Sequence, residues 1–192
     1  YGCQFLIKYP TLSSCFIPEV DKKHGITPDT ILVTGAKYVP KASNYDYKVG
    51  PAFRYRKINN FNRSKELENS KSIIVMLPYI QKDAFHIIQL LKRSDLLSDS
   101  NIDFKIHPDF LFEKKKYESQ LNDQWHLIEG EVDPSRYSIL ISSGSGTLME
   151  FASMRVSVLI IASEGAFTTN PMPEYGKEHI WDIAYNTNEI EM

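Results

Sequence analysis

The sequence predicts an α/β fold in which a Rossmann-like parallel sheet carries helices on both of its faces. From about residue 71 onward, short apolar segments alternate with longer amphipathic ones, which is the pattern of βαβ units. The apolar segments are continuous, as expected for strands that are covered on both sides. Because crossovers between parallel strands are right-handed, we expect helices on both faces of the sheet.

The elements of this domain follow one another in a regular order. Strand Ser72 to Leu77 comes first, and the helix Gln81 to Arg93 follows it, with apolar residues at helical spacing. The later predicted elements are strand Asp103 to Ile106, charged helix Glu113 to Leu121, strand Trp125 to Ile128, strand Ser138 to Ile141, helix Thr147 to about Arg155, strand Val156 to Ala162 and strand Ile180 to Ala184.

The first 60 residues have a different character, with many proline-containing turn signals. A strand is predicted at Thr30 to Thr34, a shorter one at Tyr47 to Val49, and a short helix between them at Ala36 to Ala42. The polar stretch Asn59 to Ser70 is the best candidate for a domain boundary. We therefore assign residues 61–70 to a linker and residues 71–192 to the α/β domain.

Composition excludes several classes of protein. The chain has 192 residues, of which 42% are hydrophobic and 24% charged, as in ordinary globular proteins. A net charge of −2 provides no global field for nucleic acid, so no nucleic-acid partner is expected. Cys3 and Cys15 lack metal-ligand or redox spacing and are interpreted as free thiols or core residues. The chain begins with Tyr1, and we expect it to be a fragment of a longer protein.

The strongest motif is a run of small residues between a buried strand and a helix. Glycines allow backbone N–H groups to approach a ligand closely, and the adjacent helix start and hydroxyl groups add further donors. The run therefore predicts a phosphate site at the carboxyl edge of the sheet. The alternative is a plain turn in which Ser145 or Thr147 caps the helix. The run comprises Ser142, Ser143, Gly144, Ser145, Gly146 and Thr147.

Other phosphate and catalytic loops fit this run less well. A P-loop requires lysine where Thr147 stands, and the G-x-S-x-G elbow is absent. The dinucleotide fingerprint is half present, because Gly144-x-Gly146 is followed by Met149 in place of the third glycine. Glu164 stands where a ribose-binding acid would fall, so a dinucleotide site stays open as an alternative.

Together with His107-Pro108 and Glu150, this run resembles the C-terminal, donor-binding domain of GT-B fold glycosyltransferases. The similarity is greatest to bacterial enzymes that build capsule, lipopolysaccharide or other surface polysaccharides, which carry a His-Pro pair and a Ser-Ser or Ser-Thr pair. The resemblance implies that His107 and the small-residue run contact the nucleotide phosphate of a CMP- or UDP-sugar. It also implies that Glu150 holds the ribose; the alternative is that Glu150 is a solvated residue near the favourable dipole end of the helix. The family pattern continues with glycine and proline where Arg155 and Ser157 stand here.

The resemblance carries further expectations for the whole enzyme. Residues 1–60 would be the end of an N-terminal domain and a crossing segment, and the missing part of that domain would supply the general base. The acceptor would be a glycan or a lipid-linked glycan, and no cofactor or metal is expected. The location would be cytoplasmic, with peripheral contact at the inner face of the membrane through the missing domain. A sugar-nucleotide 2-epimerase and a non-catalytic module of the same fold stay open as alternatives.

Two features near the His-Pro pair have more than one interpretation. His107 is predicted to act on the departing phosphate, because Pro108 holds the preceding residue extended at the strand end. It could also be a histidine that serves only the strand edge. The basic run Lys114, Lys115 and Lys116 is interpreted as a solvated face, or alternatively as a contact for an anionic acceptor or membrane surface.

Overall fold

The computed structural model describes residues 23–25, 27–33, 39, 45–50, 72–172 and 176–191. The chain divides into two compact units, Tyr1–Asn60 and Phe61–Met192. In the first unit, β1 (Thr30–Val33) pairs in parallel with β2 (Asp46–Val49), and the sequence predicts both strands. The predicted short helix (save Val39), the linker and both cysteines lie outside the described residues.

The second unit is built on a six-stranded, fully parallel sheet, which confirms the predicted Rossmann-like α/β class. The strand order is β5-β4-β3-β6-β7-β8, so the chain builds one half of the sheet outward from β3 and then returns to β3 for the other half. The strands are β3 (Ile73–Met76), β4 (Ile102–Lys105), β5 (Trp125–Leu127), β6 (Ile139–Ser142), β7 (Ser157–Ile161) and β8 (Trp181–Ala184).

The sheet is covered on both faces because its central strand is apolar on both sides. Ile73 and Val75 belong to one hydrophobic cluster, whereas Ile74 between them belongs to a second cluster. Successive side chains of a strand point to opposite faces, so these clusters lie on opposite sides of the sheet. Helix α1 (Gln81–Arg93) covers the first face, with Ile87, Ile88 and Leu91 fully buried.

The segment after β4 differs from the single charged helix that the sequence predicts there. A 3-10 helix (Pro108–Glu113) comes first, and a short α2 (Lys114–Glu118) follows it. Pro108 occupies the first turn of the 3-10 helix, where its missing N–H costs nothing. Tyr117 is the buried residue of α2 and stacks on Phe85 of α1 at 5.1 Å between ring centroids.

Helix α3 (Thr147–Ser153) covers the second face and is shorter than predicted. Leu148 and Phe151 are its buried residues. The helix ends before Arg155, whose φ of 63° lies in the left-handed region that is costly for a residue with a Cβ. A short α4 (Thr187–Ile190), which the sequence does not predict, follows β8 and contacts α1. None of the helices in the described ranges has the length and apolar character needed to cross a bilayer.

Candidate functional site

The strand order creates a crevice between β3 and β6. Connections leave these two neighbours in opposite directions, and doubly wound sheets bind ligands at this point, outside the carboxyl ends of the strands. Met76 at the end of β3 is in register with Ser142 at the end of β6 and with Lys105 at the end of β4. The small-residue run, called the serine loop below (Ser142–Thr147), therefore begins at the crevice, and His107 lies two residues past the end of the strand on the other side of β3.

Ser142 is used by the fold. Its side chain is fully buried, and its hydroxyl donates a short hydrogen bond to the carbonyl oxygen of Met76. This bond joins the ends of β6 and β3 at the crevice. The hydroxyl proton of Ser142 is thus committed within the protein, and a direct contact between Ser142 and a ligand stays a prediction.

Ser143 differs from its neighbour in having no internal partner. Only 2% of its surface is exposed, yet its hydroxyl forms no hydrogen bond with any residue in the described part of the chain. The Ser143 hydroxyl is not among the fully buried polar atoms that lack a partner in the described part of the chain, so it keeps a small contact with solvent. A ligand atom that accepts a hydrogen bond from Ser143 would therefore be stabilised by this site.

The backbone of the serine loop offers further donors. Within the described ranges, no backbone hydrogen bond uses the N–H groups of residues 143–146 as donors. Gly144 has a φ of +56°, and a Cβ atom there would lie 3.3 Å from the Cβ of Thr169. The loop can adopt this course because Gly144 tolerates a positive φ and leaves room for Thr169.

Ser145 and Thr147 interact with each other, in partial agreement with the capping alternative. Their hydroxyl oxygens are 2.7 Å apart, and Ser145 Oγ also accepts the Thr147 N–H at 3.3 Å. The N-cap position of α3 is Gly146, which has no side chain to cap the helix. Ser145 therefore orders the loop, while one hydroxyl proton of the pair stays available. Glu150 lies one turn into α3 and is partly exposed.

His107 is oriented by its own turn. Its Nδ1 accepts the backbone N–H of Asp109 at 3.3 Å, a closer contact than the 3.8 Å between Nδ1 and the Asp109 carboxylate. A neutral imidazole that accepts at Nδ1 carries its proton on Nε2. Within the described part of the chain, Nε2 has no hydrogen-bond partner. Nε2 can therefore donate to an anionic oxygen.

Two hydrogen bonds, together called the latch below, join α1 to the loop after β7. Sequence analysis did not predict them. Asp83, in the first turn of α1, is only 7% exposed and accepts the Ser163 hydroxyl at 2.9 Å. The neighbouring Lys82 donates to the carbonyl oxygen of Glu164 at 3.0 Å. No pattern in the sequence indicates this latch, since an aspartate in the first turn is ordinarily a solvated dipole partner. Because Thr169 of the same loop lies against Gly144, the latch also supports the serine loop.

A shallow depression of about 540 Å³ lies beside this site and not in it. Its lining includes Phe112, Glu113 and all three lysines of the basic run. Lys114 contacts Glu129 at 2.6 Å and Glu118 at 3.4 Å, and Lys116 contacts Glu113 at 2.9 Å. Ion pairing neutralises most of this patch, which favours the interpretation of the run as a solvated face over an anion site.

Comparison with protein-family models, curated proteins and solved structures gave no match. Within the described ranges, no group of three histidine, cysteine or carboxylate side chains is placed to hold a metal ion. The candidate site therefore rests on its own geometry. Among the described residues, it combines a Ser143 hydroxyl and serine-loop amides that have no hydrogen-bond partner with the partly exposed imidazole of His107, at the carboxyl edge of a parallel sheet.

Proposed function

We propose that the second unit binds the phosphate of a nucleotide-activated sugar and is the donor-binding half of a glycosyltransferase. The observation that carries the proposal is the serine loop at the crevice, where neither the Ser143 hydroxyl nor the N–H groups of residues 143–146 donate to another described residue. Phosphate oxygens are the acceptors that such donor clusters suit best. The strand order gives further support, since ligands of doubly wound sheets bind at this position.

The two sides of the crevice are carried by the two strands that flank β3. β4 and β6 flank β3, so their ends are separated by about 10 Å, twice the spacing of neighbouring strands. A phosphate above the end of β3 would accept from Nε2 of His107 on one side and from Ser143 and the loop amides on the other. Glu150, one turn into α3, would hold the ribose hydroxyls.

In the proposed reaction, an acceptor hydroxyl attacks the anomeric carbon of the sugar. The bond between that carbon and the phosphate oxygen breaks, and its electron pair leaves with the nucleotide. Donors fixed in advance at the departing phosphate stabilise this charge. The acceptor proton passes to a general base, which we place in the part of the enzyme that precedes the second unit. The donor would be a CMP- or UDP-sugar and the acceptor a glycan or lipid-linked glycan of a bacterial surface polysaccharide.

The backbone after α3 supports the family resemblance at a position where the sequence departs from it. Arg155 stands where the family pattern has glycine, and its φ of 63° is a conformation that glycine adopts without strain. The chain therefore keeps the glycine-type turn between α3 and β7 although the residue has changed.

Calorimetric titration of the purified chain with CMP, CDP, UMP, UDP and NAD tests the proposal. We expect one pyrimidine nucleotide to bind selectively. Ser143→Ala and His107→Ala should each weaken that binding roughly 10-fold, which is about 1.4 kcal/mol and modest for a hydrogen bond to a charged group. Ser157→Ala is the matched control, because Ser157 is an exposed serine at the amino end of β7. This variant should bind the nucleotide with the same affinity as the unmodified chain.

Each of the other outcomes would contradict the proposal. Binding of NAD alone would favour the dinucleotide site. Equal binding by the Ser143→Ala and Ser157→Ala variants would remove the serine loop from the site. Absence of binding by every nucleotide would favour a non-catalytic module. Release of a 2-epimer from a nucleotide sugar would identify an epimerase.

A further inference from the structure

Tyr79 is an exposed aromatic residue with ring contacts to two neighbouring side chains. It lies in the loop between β3 and α1, and 61% of its surface is accessible. Its ring meets the imidazole of His107 edge to face, with 5.3 Å between centroids and an interplanar angle of 81°. The ring of Phe110 lies 5.6 Å away on a tilted plane. Two aromatic neighbours thus support a ring that otherwise faces solvent.

The loop that carries Tyr79 is the first βα connection of the sheet. In dinucleotide-binding proteins this connection is rich in glycine, so that its backbone can approach a pyrophosphate. Here it reads Leu77, Pro78, Tyr79 and Ile80, without a glycine. It offers an aromatic surface in place of close backbone amides, and the phosphate donors lie one strand away in the serine loop.

We propose that Tyr79 is the platform on which the pyrimidine base of the bound nucleotide stacks. The inference rests on the proposed function and identifies the part of the ligand that Tyr79 recognises. Tyr79 follows β3 directly, and β3 ends between His107 and the serine loop. A nucleotide whose phosphate lies above the end of β3 therefore has its remaining groups within reach of the Tyr79 ring.

Stacking on a preordered ring suits a base better than the other groups of the ligand. The two ring contacts restrict the side chain before the ligand arrives, so little conformational entropy is lost on binding. The aromatic face offers a phosphate no donor, whereas every nucleobase has a complementary π face. Replacing an aromatic platform by an aliphatic side chain is expected to weaken binding of a nucleotide roughly 10-fold.

The test separates the base from the rest of the ligand by using three probes. Calorimetry would compare CMP or UMP (whichever the chain prefers) with ribose 5-phosphate and inorganic pyrophosphate. Tyr79→Leu should weaken the nucleotide roughly 10-fold and leave the other two probes unchanged, while Tyr79→Phe should bind all three normally. Ser143→Ala should weaken all three. Tyr185→Leu is the matched control, because Tyr185 is 64% exposed and follows the edge strand β8.

Each other outcome overturns the inference in a distinguishable way. If Tyr79→Leu binds the nucleotide normally while Ser143→Ala does not, the donor site stands and Tyr79 has no part in it. An equal loss for ribose 5-phosphate would assign Tyr79 to the ribose and not to the base. A failure of the unmodified chain to bind any of the three probes would overturn the proposed function and this inference together.

Discussion

Two hydroxyl groups of the second unit have opposite surroundings. The hydroxyl of Ser143 has no partner among the described residues, whereas the hydroxyl of Tyr137 donates to Asp103 at 2.6 Å. Tyr137 is 3% exposed, and burial, followed by the hydrogen bond to Asp103, raises its pKa to about 12. The sequence pattern singles out Ser143 but provides no reason to single out Tyr137. One hydroxyl is thus available to a ligand, and the other stabilises the fold.

Tyr137→Phe should lower the free energy of unfolding by about 1–2 kcal/mol at neutral pH, because it removes a hydrogen bond to a carboxylate. An unfolded tyrosine has a pKa near 10, below the folded value, so the contribution of Tyr137 is complete below pH 10. It is lost as pH rises towards 12. Urea unfolding at pH 7, 10 and 11 would measure this difference. If the difference in free energy of unfolding between the unmodified chain and Tyr137→Phe stayed constant up to pH 11, it would contradict a raised pKa for Tyr137.

The serine loop and α3 depend on local backbone geometry more than on helix propensity. The sequence predicts that the helix reaches Arg155, but the chain leaves the helical conformation after Ser153 and turns through a positive φ into β7. In the serine loop, before the start of α3, Gly144 also has a positive φ and lies against Thr169. Both turns are therefore set by backbone conformation at single residues.

Gly144→Ala should destabilise the protein by about 2 kcal/mol, roughly half from the left-handed backbone and half from the contact with Thr169. Gly130→Ala is the matched control: Gly130 has a φ of +79°, and a Cβ atom added there would meet no other atom within 4 Å. Only the backbone cost of about 1 kcal/mol therefore applies to the control. Thermal or urea unfolding would compare the two variants. Equal losses of stability in Gly144→Ala and Gly130→Ala would show that Thr169 moves aside and does not restrain the serine loop.

The order of the strands determines which loops meet. Segments after β3, β4, β6 and β7 are separated by many residues, yet all lie at the carboxyl edge of one parallel sheet. The end of the described chain contacts the residues that follow α1. Glu191 accepts the Ser94 hydroxyl at 2.9 Å and the Asp95 N–H at 2.7 Å. It thereby joins the segment after α4 to the end of α1.

Because of this contact of Glu191 with the end of α1, the stability of the protein should vary with pH in the acid range. The hydrogen bond from Ser94 holds the pKa of the Glu191 carboxyl below its usual value. A lowered folded pKa means that the contribution of Glu191 is present above the unfolded pKa of about 4.3. It is lost as pH falls through the folded value. Glu191→Gln should therefore lower the urea midpoint at pH 7 and have a smaller effect near pH 3. An equal effect at both pH values would exclude a role for the charge.

The sequence determined the class of fold and the identity of the serine loop. Continuous apolar strands, helical spacing and a run of small residues are local patterns, and they predicted all six strands of the sheet, helix α1 and the position of the loop. The strand order, the burial of Ser143, the latch at Asp83 and the ring contacts of Tyr79 required the tertiary structure. Each of these depends on which segments are neighbours across the sheet, and that follows from the simultaneous packing of both faces, which no single segment encodes.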